Sequence, residues 1–290
     1  MGHGNYSYEA HQAITAQRQA LPAQQVFKQR TCHPLMNPKG VKFRESRDSA
    51  DHPNSLGVIF ALDVSGSMGR IPEQLARKEL PGFMKILLDC GVKDPQILFM
   101  ALSDTASNQA PLQVGQFEST AELMDQWLTT CWIEGGGQTP FESYELALYF
   151  AARHTAMDCW QKRKKKGYLF MTGDEPAYPA VKAADVTNVI GDKLTVDIPL
   201  AAMVEEVGRS FETYLLIPDP QRGKQVGPFW RGVLGKRAII LESPEDTCAV
   251  AAGLVALNEK VVKDAAELGR RLQTRGMAPE RVAAVLKALS

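Results

Sequence analysis

Apolar positions fall into two kinds of stretch along this chain. Short, largely apolar runs occur at Val58–Leu62, which is unbroken, and at Gln96–Ser103, Tyr168–Thr172, Ser210–Ile217 and Arg237–Leu241. They are too brief for globular helices and are bounded by turn residues, so they read as strands buried on both faces of a parallel sheet. Between them the apolar spacing turns helical. Pro72–Cys90 presents Leu75, Leu80, Phe83, Met84 and Leu87 on one face, with Pro72 suited to a first turn. Phe117–Cys131 has Ser119 and Thr120 as cap candidates and Glu122 in its first turn. Phe141–His154, Pro199–Gly208 and Pro244–Leu257 complete the series. This alternation predicts an α/β fold: a doubly wound, mostly parallel six-strand sheet over residues 56–257 with helices on both faces.

The flanks read differently. Residues 1–55 lack clean periodicity and hold Pro22, Pro34, Pro38 and Pro53. Tyr8–Leu21 fits a short amphipathic helix, and Thr31–Ser55 an extended polar wrap along the domain. After Asn258 the strand pattern stops, and Val261–Arg275 and Pro279–Leu289 read as two polar-faced helices, a C-terminal helical segment over 258–290.

Composition narrows the function classes. Hydrophobic residues make up 44% and charged residues 23% of 290, an ordinary globular balance. The 33 basic residues match 33 acidic ones, so nucleic acid is disfavoured as the main partner. The start, M-G-H-G-N-Y, shows no secretory pattern, and Tyr6 stands where a myristoylation signal requires Ser or Thr. No apolar run approaches a membrane span. Five scattered cysteines include no C-x-x-C pair, which fits a reducing, cytoplasmic setting. Cys32–His33 has no further ligand at useful spacing and reads as packing or surface. The basic run Lys162–Lys166 reads as a solvated face between a helix and a strand.

Candidate chemistry gathers at strand ends. Directly after the first strand, D-V-S-G-S-M supplies Asp63, Ser65 and Ser67: one carboxylate and two hydroxyls, all oxygen donors suited to a hard cation. Open parallel sheets place ligands at the carboxyl ends of their strands. The G-G-G-Q-T-P loop (135–140) brings Thr139, and T-G-D-E-P after the Tyr168–Thr172 strand brings Asp174 and Glu175. Asp104 ends another strand on the same edge. Taken alone, Asp63, Ser65 and Ser67 could also simply cap the following helix.

These motifs, in this order over roughly Leu56–Leu257, resemble the von Willebrand factor A family with its metal-ion-dependent adhesion site. The resemblance implies that Asp63, Ser65, Ser67, Thr139 and Asp174 hold Mg2+ (or Mn2+), with Glu175 as the alternative to Asp174 because T-G-D-E-P departs from the common T-D-G. It also implies a partner protein whose Asp or Glu completes the coordination sphere, recognition without turnover, and a cytoplasmic adaptor role of the kind found beside AAA+ ATPases. Asp104 belongs to the rim by position. Met68, Pro140 and Phe141 could form an apolar edge for the partner, or Met68 and Phe141 could pack inward. A metal-independent scaffold is the main rival. A haloacid-dehalogenase-type phosphotransferase would need an aspartate where Ser65 stands. A serine hydrolase would need the G-x-S-x-G elbow and a dedicated histidine, and His154, at a helix end, reads as a surface residue.

Overall fold

The computed structural model describes residues 4–19 and 21–290. The residues Met1–His3, read above for a leader or lipid signal, and Ala20 near the end of the first expected helix lie outside them. The chain opens with α1 (Tyr8–Gln19) and reaches the central sheet at β1 (Leu56–Asp63). Then follow α2 (Leu80–Asp89), β2 (Pro95–Leu102), β3 (Leu112–Val114), α3 (Ala121–Thr130), α4 (Tyr144–Arg153) and β4 (Gly167–Thr172). The chain continues through α5 (Leu200–Val207), β5 (Phe211–Ile217), α6 (Pro220–Leu234), β6 (Ala238–Ile240) and α7 (Thr247–Asn258), and closes with α8 (Ala265–Thr274) and α9 (Pro279–Ala288).

The six strands lie in the order β6-β5-β4-β1-β2-β3. All neighbours run parallel except the β2–β3 edge pair. This is the expected doubly wound sheet. Its sixth strand, Leu112–Val114, falls in a stretch whose three-residue length leaves no periodicity to read. β1 and β2 are buried along their whole length, so both faces of the sheet are covered. The helices form two packed groups, α2 with α7, α3 and α1, and α4 with α5 and α6. Phe60, Phe83 and Phe170 join sheet to helix, with Phe83 meeting the other two rings edge-on.

Because the chain winds outward from β1 in both directions, the strand order reverses between β1 and β4. Crevices at such reversals are where open α/β sheets bind ligands. Asp63 closes β1 and Asp174 lies two residues beyond β4, so both carboxylates face that crevice from adjacent strands.

The N-terminal segment is tied down at many points. Arg18 pairs with Asp125 at 2.7 Å, the Tyr6 hydroxyl donates to the Pro81 carbonyl at 3.2 Å, and Arg44–Ser46 forms a second, parallel two-strand ribbon with Thr155–Met157. His154 is a correction to the sequence reading: it is buried, not at the surface. Its ring nitrogens face the Val41 carbonyl at 2.8 Å and Asp192 at 2.9 Å, and its ring stacks on Phe150. A helix-end histidine looks exposed only until the N-terminal wrap covers it.

Four residues of the basic run make ion pairs, and Lys164 lies over the Trp160 ring. Lys162 reaches Asp158 and Asp48, Arg163 reaches Asp48 at 2.8 Å, Lys165 reaches Glu259, and Lys166 reaches Glu212. Arg163, with Ser55 and Lys162, holds the Asp48 carboxyl well below the usual carboxylate range. Cys32 is half-buried and its neighbour His33 accepts from the Leu35 amide at 3.2 Å, a local turn bond. At the other end α8 and α9 bury Leu268, Leu272, Val282 and Val285. Gly253 of α7 leaves the room that α8 needs, since a Cβ there would stand 2.9 Å from Leu268.

Candidate functional site

The local backbone explains how the first loop is held. β1 ends at Asp63, and the Ser65 amide donates to Asp63 Oδ1 at 2.9 Å, closing a turn across one residue. The Gly66 amide then donates to the Gly136 carbonyl at 2.6 Å. A Cβ on Gly66 would stand 2.5 Å from that same oxygen, so only glycine lets the D-V-S-G-S loop dock on the glycine-rich loop. Gly135, Gly136 and Gly137 all have positive φ, which fits a G-G-G sequence there.

Four of the expected residues come together. The Ser65 and Ser67 hydroxyls lie 3.0 Å apart, and Ser67 Oγ donates to Asp174 Oδ1 at 2.8 Å. Asp63 Oδ2 accepts from the Tyr144 hydroxyl at 2.7 Å. Ser67 is exposed while Asp63, Ser65 and Asp174 are buried, so the cluster opens to solvent through one hydroxyl.

Thr139 sits in a neighbouring cluster. Its hydroxyl donates to Asp104 Oδ2 at 3.1 Å and lies 3.2 Å from the Tyr178 hydroxyl. Tyr178 donates to Asp104 Oδ1 at 2.7 Å, and the Ala106 amide and Ser107 hydroxyl, each at 2.9 Å, add two more donors. Asp104 is thus saturated by protein groups. Among the rim residues, Pro140 is exposed, Phe141 is half-buried and stacks on Tyr178 at 5.2 Å between ring centres, and Met68 is buried.

Three participants carried no motif signal. Arg222, on the first turn of α6, donates through Nε to Asp174 Oδ2 at 3.1 Å and through a terminal nitrogen to the Asp174 carbonyl and to Glu175. Asp219 caps that helix by accepting from the Gln221 and Arg222 amides, which aims Arg222 at the site. Tyr144 lies in the first turn of α4, packed edge-on against Trp230. Glu142, two residues earlier, is 1% exposed and its Oε2 has no hydrogen-bond partner. The E-S-Y that follows T-P-F was open to inspection as a polar break before an apolar helix, but nothing in its spacing distinguishes a site residue from a helix start.

The electrostatics are those of a crowded acidic pocket. Burial pushes the Asp63 carboxyl up to about 7, and the nearby Asp174 charge adds to the rise, against the opposing pull of bonds from Ser65 and Tyr144. Burial, with the charges of Asp63 and Asp104, pushes Glu142 up to about 9, partly offset by the Ser65 hydroxyl. Burial and the Asp63 charge raise the Tyr144 phenol as well. The Arg222 guanidinium is divided between Asp174 and Glu175, and among the described residues no ion pair reaches Asp63 or Glu142.

Among the described residues, no three His, Cys, Asp or Glu side chains converge closely enough to hold a metal by themselves. A cation here would draw on hydroxyls as well as carboxylates. The donor set fits one on chemical grounds: all-oxygen ligands, two hydroxyls with free lone pairs, and a buried Asp63 carboxyl that no described cationic side chain pairs.

No protein family and no curated protein matches the chain. Solved structures that it resembles are the pilus adhesin SpaC from Lactobacillus rhamnosus GG in its open conformation (10% identity, TM-score 0.46, 78% of this chain and 31% of that one), proximal thread matrix protein 1 from the mussel byssus (12%, 0.42, 73% and 48%), and a von Willebrand factor type A protein from Catenulispora acidiphila (13%, 0.39, 79% and 51%). The chain spans about half or less of each of these longer structures.

Proposed function

We propose that this chain is a von Willebrand A-type protein-binding domain that uses a divalent cation, Mg2+ or Mn2+, at the crevice between β1 and β4. The observation that carries the reading is the meeting of the Ser65 and Ser67 hydroxyls with the buried carboxyls of Asp63 and Asp174 at the sheet's reversal point. Ser65 and Ser67 would hold the cation, with Asp63 and Asp174 orienting them and lending negative charge beside it. Bound there, it supplies a Lewis-acidic position for an Asp or Glu of a partner protein. Ser67 gives the only exposed hydroxyl of the pair, and exposed Pro140 with half-buried Phe141 offers an apolar edge beside it. On this reading the protein is a binder rather than an enzyme, working as a cytoplasmic adaptor in the manner of A domains that serve AAA+ ATPase systems.

A metal-independent scaffold is the second reading, and Arg222 favours it, because its guanidinium already pairs with Asp174. Calorimetry separates the two. Protein stripped with EDTA and dialysed should take up one equivalent of Mn2+, and Ser67→Ala should weaken that uptake while keeping the fold. An acidic peptide should then bind only when the metal is present, and no phosphatase or esterase turnover should appear. Heatless titrations of a folded wild type would leave the scaffold reading.

A further inference from the structure

We infer that Glu142, rather than Thr139, is the residue of the segment following the glycine-rich loop that holds the cation, together with Ser65 and Ser67. This inference rests on the metal-dependent reading above and names a member of its site that no sequence motif marks.

The two candidates on this segment differ in what remains free. The Thr139 hydroxyl is engaged with Asp104, Tyr178 and the Phe141 carbonyl, all within 3.2 Å. Releasing it would strip Asp104 of one of its donors. Glu142 Oε2 is buried and unpartnered, an arrangement that proteins seldom tolerate unless a proton, water or ion answers it. Its backbone is fixed, since the Glu142 amide donates to the Pro176 carbonyl at 3.0 Å and the residue bridges to Ala177. That pins Glu142 to the segment carrying Asp174.

Neighbouring groups are arranged to receive such a ligand. The Ser65 hydroxyl is within reach of the Glu142 carboxyl and is 3.0 Å from Ser67 Oγ. Asp63 and Asp174 hold those loops through the Ser65 amide and the Ser67 hydroxyl. One carboxylate and two hydroxyls as holders, with two aspartates orienting them, is also consistent with no three acidic side chains converging. The consequence is chemical. A site with an anionic holder on this segment carries one more negative charge than one built on a threonine there. It should retain the metal without a partner's carboxylate, so the partner reads a preloaded site.

The test is Mn2+ calorimetry on the full chain for wild type, Glu142→Gln and Thr139→Ala, each checked by urea unfolding in EDTA. Glu142→Gln keeps size and removes charge, so the metal-free protein should be at least as stable as wild type. Replacing residues that merely orient metal ligands costs about 10- to 100-fold in affinity. Loss of a direct holder should therefore weaken Mn2+ binding by about 100-fold, with Thr139→Ala staying within about threefold of wild type. A Glu142→Gln protein that binds Mn2+ like wild type overturns the inference while leaving the metal-dependent reading intact. A folded wild type that binds no Mn2+ overturns that reading itself.

Discussion

The Tyr144 hydroxyl donates a 2.7 Å hydrogen bond to the buried Asp63 carboxyl, and removing it alone is an incisive perturbation. Tyr144→Phe keeps the ring against Trp230 and deletes only the donor that stands 2.7 Å from Asp63 Oδ2. Both groups are fully buried, so no water replaces the lost donor. A hydrogen bond to a charged acceptor contributes about 1.5–3 kcal/mol, and one between neutral groups about 0.5–1.5 kcal/mol. The loss should therefore depend on pH. With Asp63 pushed up to about 7, the carboxyl is ionised at pH 8.5, where the variant should lose about 2 kcal/mol, and protonated at pH 5, where it should lose about 1 kcal/mol or less. For a chain of this length 2 kcal/mol corresponds to roughly 3 °C in melting temperature. Urea unfolding in EDTA at the two pH values measures it. Gly173→Ala should injure the same contact from the other side, because a Cβ there would overlap the Tyr144 hydroxyl; part of its cost should vanish in the Tyr144→Phe background. A Tyr144→Phe protein with unchanged midpoints at both pH values would refute the idea that this phenol holds the carboxylate.

Two further outcomes follow from groups beside and away from the site. Gly66→Ala should push the first loop off the Gly136 carbonyl, costing about 1–3 kcal/mol and weakening Mn2+ binding by calorimetry, while circular dichroism stays that of the wild type. Burial, reinforced by Glu245 and Asp246 and opposed by Arg281, pushes Glu79 up to about 7. An acid whose folded-state pKa is raised destabilises the fold once the pH passes its unfolded value near 4.5. Wild-type stability should therefore fall, relative to Glu79→Gln, as pH climbs from about 4.5 to 7. Allowing for the partial exposure of Glu79, the difference should be about 1–2 kcal/mol, read from urea midpoints across that range.

The long strands were legible because burial on both faces leaves largely apolar runs, as at Val58–Leu62 and Tyr168–Thr172. Helix starts were less so. The expected Phe117 start gives way to Ala121 because Phe117–Glu118 is drawn into an antiparallel bridge with Ile97, and α4 begins at Tyr144 rather than Phe141 because the Glu142 amide is claimed by Pro176. The burial of His154 depends on Val41, far away in sequence, and no local pattern encodes it. The aspartate and serines of the first loop could be found from spacing, since they lie within five residues on one turn. Arg222, Tyr144 and Glu142 reach the same crevice from separate elements, and only the strand order β6-β5-β4-β1-β2-β3 brings them there. Thr139 could be placed near the crevice from its motif; that Asp104 and Tyr178 would claim its hydroxyl could not.

Whether a cation is held beside Ser65 and Ser67 decides between the metal-dependent domain and the scaffold. Crystals of the EDTA-stripped protein, soaked in MnCl2 and measured on either side of the manganese absorption edge, answer this directly. A single anomalous peak within coordination distance of the Ser65 and Ser67 hydroxyls, absent from Ser67→Ala crystals treated alike, is the predicted result. Anomalous density nowhere in that crevice, with Arg222 still seated on Asp174 at saturating manganese, would contradict a metal-dependent site.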